Sequence, residues 1–160
     1  EIMPSLVGSE MCIRDRHPDA IDVVIGFDEV FAHLIQAAAD ILLMPSQYEP
    51  CGLAQLYAFR YGTIPVVRAT GGLVDTVVDV NDQTRADGTA SGFVFQDFQS
   101  ASLEEAVQRA LAAHGNKTLW QDLVYRVMQQ DWSWEVSAQQ YQKVYERALA
   151  NAPADVVDVR

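Results

Sequence analysis

Basic residues are scarce in this sequence, 11 against 22 acidic ones, and the formal net charge is -11. No broad positive field exists to draw in nucleic acid, and no basic run suits an anionic membrane surface. Cysteine is scarcer still: Cys12 and Cys51 stand far apart and follow no ligand spacing, so neither a disulfide framework nor a zinc site is indicated. A reducing compartment is the default. No apolar run reaches the length of a membrane-spanning helix, and the opening residues lack the basic start and long apolar centre of a secretory signal. The expectation is a protein of the cytoplasm or plastid stroma. What is present, 49% hydrophobic and 21% charged residues over 160 positions, suits one ordinary domain with its own core. Any anionic ligand must then be held by a local positive pole, because the average field repels it.

Regular patterning starts only after residue 16. The segment EIMPSLVGSEMCIRDR keeps no period of either kind and is read as a junction sequence outside the functional chain, with an ordinary surface loop as the alternative. From Ile21 the element types alternate. IDVVIG reads as a buried strand, Asp28 to Ala39 as a helix with acidic residues in its first turn, and ILLMP as a short strand buried on both faces. Cys51 to Tyr61 reads as a helix stopped by Gly62, TIPVVR as another buried strand, and Leu73 to Val80 as a short helix. Asn81 to Ser91 is polar and reads as an exposed loop before the brief strand GFVF. Three helices follow, over Ser102 to His114, Lys117 to Gln130 and Ser133 to Leu149, and residues 151–160 form a short acidic tail expected to be flexible.

Strands alternating with helices predict an α/β fold, a parallel sheet with flanking helices, since parallel strands need a crossover between them. Ligands in such sheets sit beyond the carboxyl ends of the strands. That rule puts Gly26 and Phe27, Ser46 to Gly52, and Arg68 to Gly72 on one rim. Within it, Pro50 costs nothing near a helix start, and Gly52 lets a ligand approach the backbone. The free amides of Gly52, Leu53 and Ala54, with the helix dipole of about half a positive charge, form an anion site independent of the net charge. A plain strand-to-helix turn has the same pattern, and the ATGG turn, Ala69 to Gly72, is likewise either a tight turn or a second place of close approach.

Read as strings, residues 23–79 closely resemble the bacterial glycogen synthases and plant starch synthases through EPCGL, QLYA, RYG, PVVR and TGGL. A weaker likeness runs on through GFVF and DWSWEVSAQQYQKVYERAL. The resemblance implies two Rossmann-like domains facing across a cleft, the GT-B arrangement, with residues 17–150 as the later part of the second, nucleotide-sugar-binding domain. It implies transfer of glucose from ADP-glucose to the non-reducing end of an α-1,4-glucan with retention. The first domain, with the acceptor-side residues, is expected to be a missing partner, as is the Arg and Lys that relatives place on the diphosphate. The scheme calls for no metal and no resident cofactor, ADP-glucose being a substrate.

Carried over residue by residue, Glu49 matches the glutamate that holds the donor glucose and supports developing charge. Cys51 matches an active-site cysteine whose backbone, with that of Gly52, contacts glucose hydroxyls, with no nucleophilic role. Leu53 and Ala54 present amides to the diphosphate, and Ala54 stands where many relatives have Thr, so a hydroxyl contact is lost. Phe27 stands where relatives often carry Tyr beside the nucleobase, and its ring could stack on adenine. Thr70, Gly71 and Gly72 match the turn lining the sugar side of the cleft. Arg68 is expected to be a solvated or paired strand-end residue rather than a phosphate ligand. Many related sugar transferases carry a second glutamate where this chain has Tyr57, a departure that starch synthases share. Two rival readings remain: a non-catalytic nucleotide- or glucan-binding module, and a fragment inactive without its N-terminal domain. Trp132, Trp134, Tyr141 and Tyr145 are expected to pack rather than to stack on glucan, and His33 and His114 read as incidental helix residues.

Overall fold

The structure is a computed structural model that describes residues 12–151. The expectations for residues 1–11 of the junction segment and 152–160 of the tail therefore lie outside the described residues. The chain divides into two compact units, one ending at Ala32 and the other starting at His33.

In the first unit, the expected strand over Ile21 to Gly26 is not formed, and these residues carry no regular hydrogen-bonded structure. Val24 and Ile25 are 62% and 48% exposed, so an apolar run of the right length has no sheet neighbour to satisfy its backbone. Helix α1, Glu29–Ala38, follows. Its start is set by Asp28, whose Oδ1 accepts the Phe31 N–H at 2.9 Å.

The second unit is a three-stranded parallel sheet in the order β1 (Ile41–Met44), β2 (Ile64–Arg68), β3 (Phe93–Phe95). Ile41 pairs with Ile64 and Val66 with Phe93. Pro65 is tolerated in the middle strand because pairing with β3 begins one residue later, at Val66. The crossover from β1 to β2 is α2, Ala54–Tyr61, which ends at Gly62 in the left-handed region at φ 83°. It begins three residues later than expected from the sequence.

Between β2 and β3 lie α3 (Leu73–Thr76) and α4 (Asp82–Ala86). α4 corrects the expectation of an unstructured loop. Asn81 accepts the Thr84 N–H at 3.0 Å, and Thr84 Oγ1 accepts the Asn81 N–H at 3.0 Å, a capping box that nucleates a turn in an otherwise polar segment. Three longer helices close the chain: α5 (Ser100–Gly115), α6 (Lys117–Gln129) and α7 (Trp134–Ala150). The Asp79 carboxylate accepts from Val94 N at 2.7 Å and from Arg109 Nη1 at 3.1 Å, while Arg109 Nη2 donates to Val94 O at 2.8 Å. α5 is thereby fixed to β3.

The core gathers Phe59, Ile64, Val66, Val67, Leu73 and Phe93 from sheet and crossover, with Ala106 and Ala110 of α5 and Leu123 and Val127 of α6 closing over them. α7 buries no residue. Trp134, Tyr141 and Tyr145 are 82%, 59% and 63% exposed among the described residues, which corrects the expectation that this stripe packs. Trp132 does pack, stacking on Phe59 with ring centroids 6.5 Å apart.

Candidate functional site

The carboxyl ends of β1 and β2 are adjacent in the sheet, so the loops that leave them meet. Loop 45–53 carries Glu49, Cys51, Gly52 and Leu53, and loop 69–72 carries Thr70, Gly71 and Gly72. Their contact is backbone to backbone. The Gly72 N–H donates to Glu49 O at 3.0 Å. A Cβ on Gly71, whose φ is 49°, would collide with the Glu49 carbonyl oxygen, and one on Gly72 would collide with that of Cys51. The consecutive glycines are thus a steric requirement of two chains that touch without side chains between them.

Glu49 turns back on its own loop, where Oε1 accepts the Gly52 N–H at 3.2 Å. The amide read as free at Gly52 is therefore engaged. Leu53 precedes α2 without a side-chain cap, and among the described residues no protein acceptor takes the N–H of Leu53 or Ala54. These two donors, with the dipole of an eight-residue helix behind them, form a positive pole at the rim. Cys51 is exposed and free, Glu49 and Thr70 are half-buried, and Leu53 is 59% exposed.

Arg68 at the end of β2 is a paired residue. Its Nη1 donates to Gln47 O at 2.5 Å and Ser46 O at 3.4 Å, its Nε donates to Gln96 O at 3.2 Å, and the guanidinium lies 5.3 Å from the Phe98 ring centre. It binds three carbonyls of the loops after β1 and β3 and so sets the path of the rim. The structure brings together Glu49, Cys51, Gly52, Leu53, Ala54, Thr70, Gly71 and Gly72. Phe27 belongs to the other unit, where it is 97% exposed and follows no strand.

Sequence reasoning missed Gln55 and Thr76. Gln55 is fully buried, and its Nε2 donates to Gly52 O at 2.6 Å and to Thr76 Oγ1 at 3.0 Å, while Thr76 Oγ1 donates to Gly72 O at 2.9 Å. The signal was present in the spacing, because Gln55 lies in helical register with Ala58 and Phe59, the two other buried residues of α2.

A separate concavity of about 760 Å³ lies between α2 and the joint of α6 and α7, lined by Tyr57, Arg60, Asp131, Trp132 and Trp134 among others. Ser133, through its side chain first and its backbone N–H second, and then nearby Arg60, hold the Asp131 carboxyl below the usual aspartate range. His33 and His114 make edge contacts with Tyr57 and Trp120, at 5.1 and 4.9 Å between ring centres. No group of three or more His, Cys, Asp or Glu side chains able to hold a metal gathers among the described residues. No helix among them is long and apolar enough to cross a membrane.

Residues 21–120 match the family profile of the glycosyl transferases group 1. Glycogen synthase of Nitrosospira multiformis is 52% identical over 135 residues, which cover 84% of this chain and 27% of that protein. Glycogen synthase of Edwardsiella ictaluri is 45% identical over 139 residues, covering 87% of this chain and 29% of the relative. The chain thus spans less than a third of the length of these relatives. Among solved structures, the catalytic domain of starch synthase IV from Arabidopsis thaliana, bound to ADP and acarbose, superposes with a TM-score of 0.80 at 35% identity. It covers 94% of this chain, which spans 31% of it. Sucrose-phosphate synthase from Thermosynechococcus elongatus superposes with a TM-score of 0.60 at 25% identity, over 92% of this chain and 35% of its own.

Proposed function

The chain belongs to the group 1 glycosyl transferases, and on that premise we propose that it forms the donor side of a glycogen- or starch-synthase site. The reaction is transfer of glucose from ADP-glucose to the non-reducing end of an α-1,4-glucan with retention. Glycogen synthases among its relatives and a starch synthase neighbour bound to ADP support that choice of donor. The observation that carries the reading is local: two glycine loops locked backbone to backbone in front of a helix end with unpaired N–H groups.

Departure of the nucleoside diphosphate leaves positive charge on the sugar and negative charge on phosphate. Fixed N–H donors aimed at the leaving group stabilise that charge without having to reorganise. Leu53 and Ala54 take that role. Glu49 grips the hexose, and as it does so its carboxylate exchanges the Gly52 N–H for sugar hydroxyls, which frees that amide for the donor. The backbones of Cys51 and Gly52 and the turn Thr70, Gly71, Gly72 line the sugar. Acceptor binding falls to a further domain of a longer protein, and alone this half-site binds donor without turning it over. A cytoplasmic or plastid-stromal setting goes with this substrate.

Calorimetric titration tests the assignment. The chain is expected to bind ADP and ADP-glucose, with the hexose adding affinity. Glu49→Ala removes that added affinity, about tenfold for a charge-assisted contact, and changes ADP binding by less than about threefold. Equal affinity of both proteins for ADP-glucose contradicts the role of Glu49, and no binding of either nucleotide contradicts the reading as a whole.

A further inference from the structure

Gln55 is an unusual occupant of its position. It is the second residue of α2, on the same stripe as Ala58 and Phe59, and it is fully buried. A leucine or methionine would fill that stripe without burying polar atoms, and burial of a carboxamide is unfavourable unless its groups are bonded. Only half of it is. Nε2 has two acceptors, Gly52 O and Thr76 Oγ1, whereas Oε1 is buried with no donor among the described residues. Turning the amide over would set Oε1 against the Gly52 carbonyl, two acceptors face to face, so the observed orientation is the one the loop dictates.

We propose that Gln55 is the positioning residue of the donor site, holding the Glu49–Gly52 loop and the Gly71–Gly72 turn in one fixed geometry. The proposal rests on the donor-site reading above. The connection runs from Gly52 O to the Gln55 amide, on to Thr76 Oγ1 and from there to Gly72 O, at 2.6, 3.0 and 2.9 Å. Both ends of this relay are glycines of the rim. The one direct backbone tie between the loops, Gly72 N to Glu49 O at 3.0 Å, leaves a hinge when it acts alone. The relay is the second attachment that removes it. Gly52 takes part sterically as well: a Cβ there would lie 2.5 Å from Nε2 and 2.6 Å from Oε1, so the amide can lie flat against the loop only where the residue has no side chain.

The test uses the full chain, labelled with ¹⁵N. In Gln55→Met, the Gly72 amide is expected to exchange with solvent about tenfold faster, with the Val66 and Val67 amides of β2 unchanged within about twofold. Thr76→Val, which removes only the hydroxyl, reproduces the effect, and Thr76→Ser, which restores it, brings exchange back to the original rate. The serine rescue separates positioning from simple loss of packing. Affinity for ADP falls about fivefold to twentyfold in Gln55→Met and in Thr76→Val, and the double variant is no weaker than the worse single one, because both cut the same relay. Unchanged Gly72 exchange in Gln55→Met overturns the proposal, and so does an equal rise at Val66 and Val67, which reports only general loosening. Failure of the unsubstituted chain to bind ADP defeats the donor-site reading, while the exchange comparison still decides the role of Gln55.

Discussion

The rim loops and helix α7 belong to one chain, yet it treats them oppositely. At the rim, small residues and buried amides tie two loops together with no room for an extra methyl group at Gly71 or Gly72. On α7, large aromatic residues face outward and nothing is buried. Helix α6 shows that amphipathic character alone does not separate the cases, since it buries Trp120, Leu123 and Val127 against the same unit. The difference is the partner. The rim loops are held to one another and, through Arg68, to the loop after β3, whereas the aromatic stripe of α7 stays exposed among the described residues.

That contrast can be broken by substitution. The largest effect is expected at Gly71→Ala. A left-handed residue gains a Cβ that collides with a backbone carbonyl, and the loss of stability is expected at about 3 kcal/mol. Urea unfolding followed by circular dichroism measures it, and a loss below about 1 kcal/mol would mean that the loops are not locked. A smaller effect of opposite sign is expected at Gly115→Ala. Gly115 ends α5 with open space around it and no positive φ, so the better helix former is expected to add about 0.5 kcal/mol. The same chemical change thus destabilises the rim and stabilises a helix end. Smallest is Tyr141→Ser with Tyr145→Ser on α7, expected to shift unfolding by no more than about 0.5 kcal/mol. A larger loss would show that α7 packs against this chain after all and would erase the contrast.

Much of the second unit was legible because its signals are local. Continuous apolar runs ending at Met44 and Arg68 gave β1 and β2, Gly62 stopped α2, and Asn116 opened α6 by accepting the Leu119 N–H at 3.2 Å. What escaped depends on partners. Ile21 to Gly26 has a strand's composition, but a strand exists only where another strand pairs with it. The Asn81–Thr84 capping box was overlooked because polar residues suggest a loop before they suggest a cap. At the site, Glu49 and the glycines stood out from the string EPCGL and the turn TGG, whereas the bond from Gly52 N to Glu49 Oε1 and the relay through Gln55 and Thr76 join residues whose pairing no spacing announces. The amino end of α2 was placed three residues early, because Pro50 marks a possible helix start without requiring one.

Amide chemical shifts of the ¹⁵N-labelled chain during titration with ADP test the central claim most directly. If the amino end of α2 holds the diphosphate, the N–H signals of Leu53 and Ala54 move furthest, followed by those of Gly52 and Gly72. Shifts concentrated instead around Trp132 and Trp134, with Leu53 and Ala54 unmoved, would contradict it.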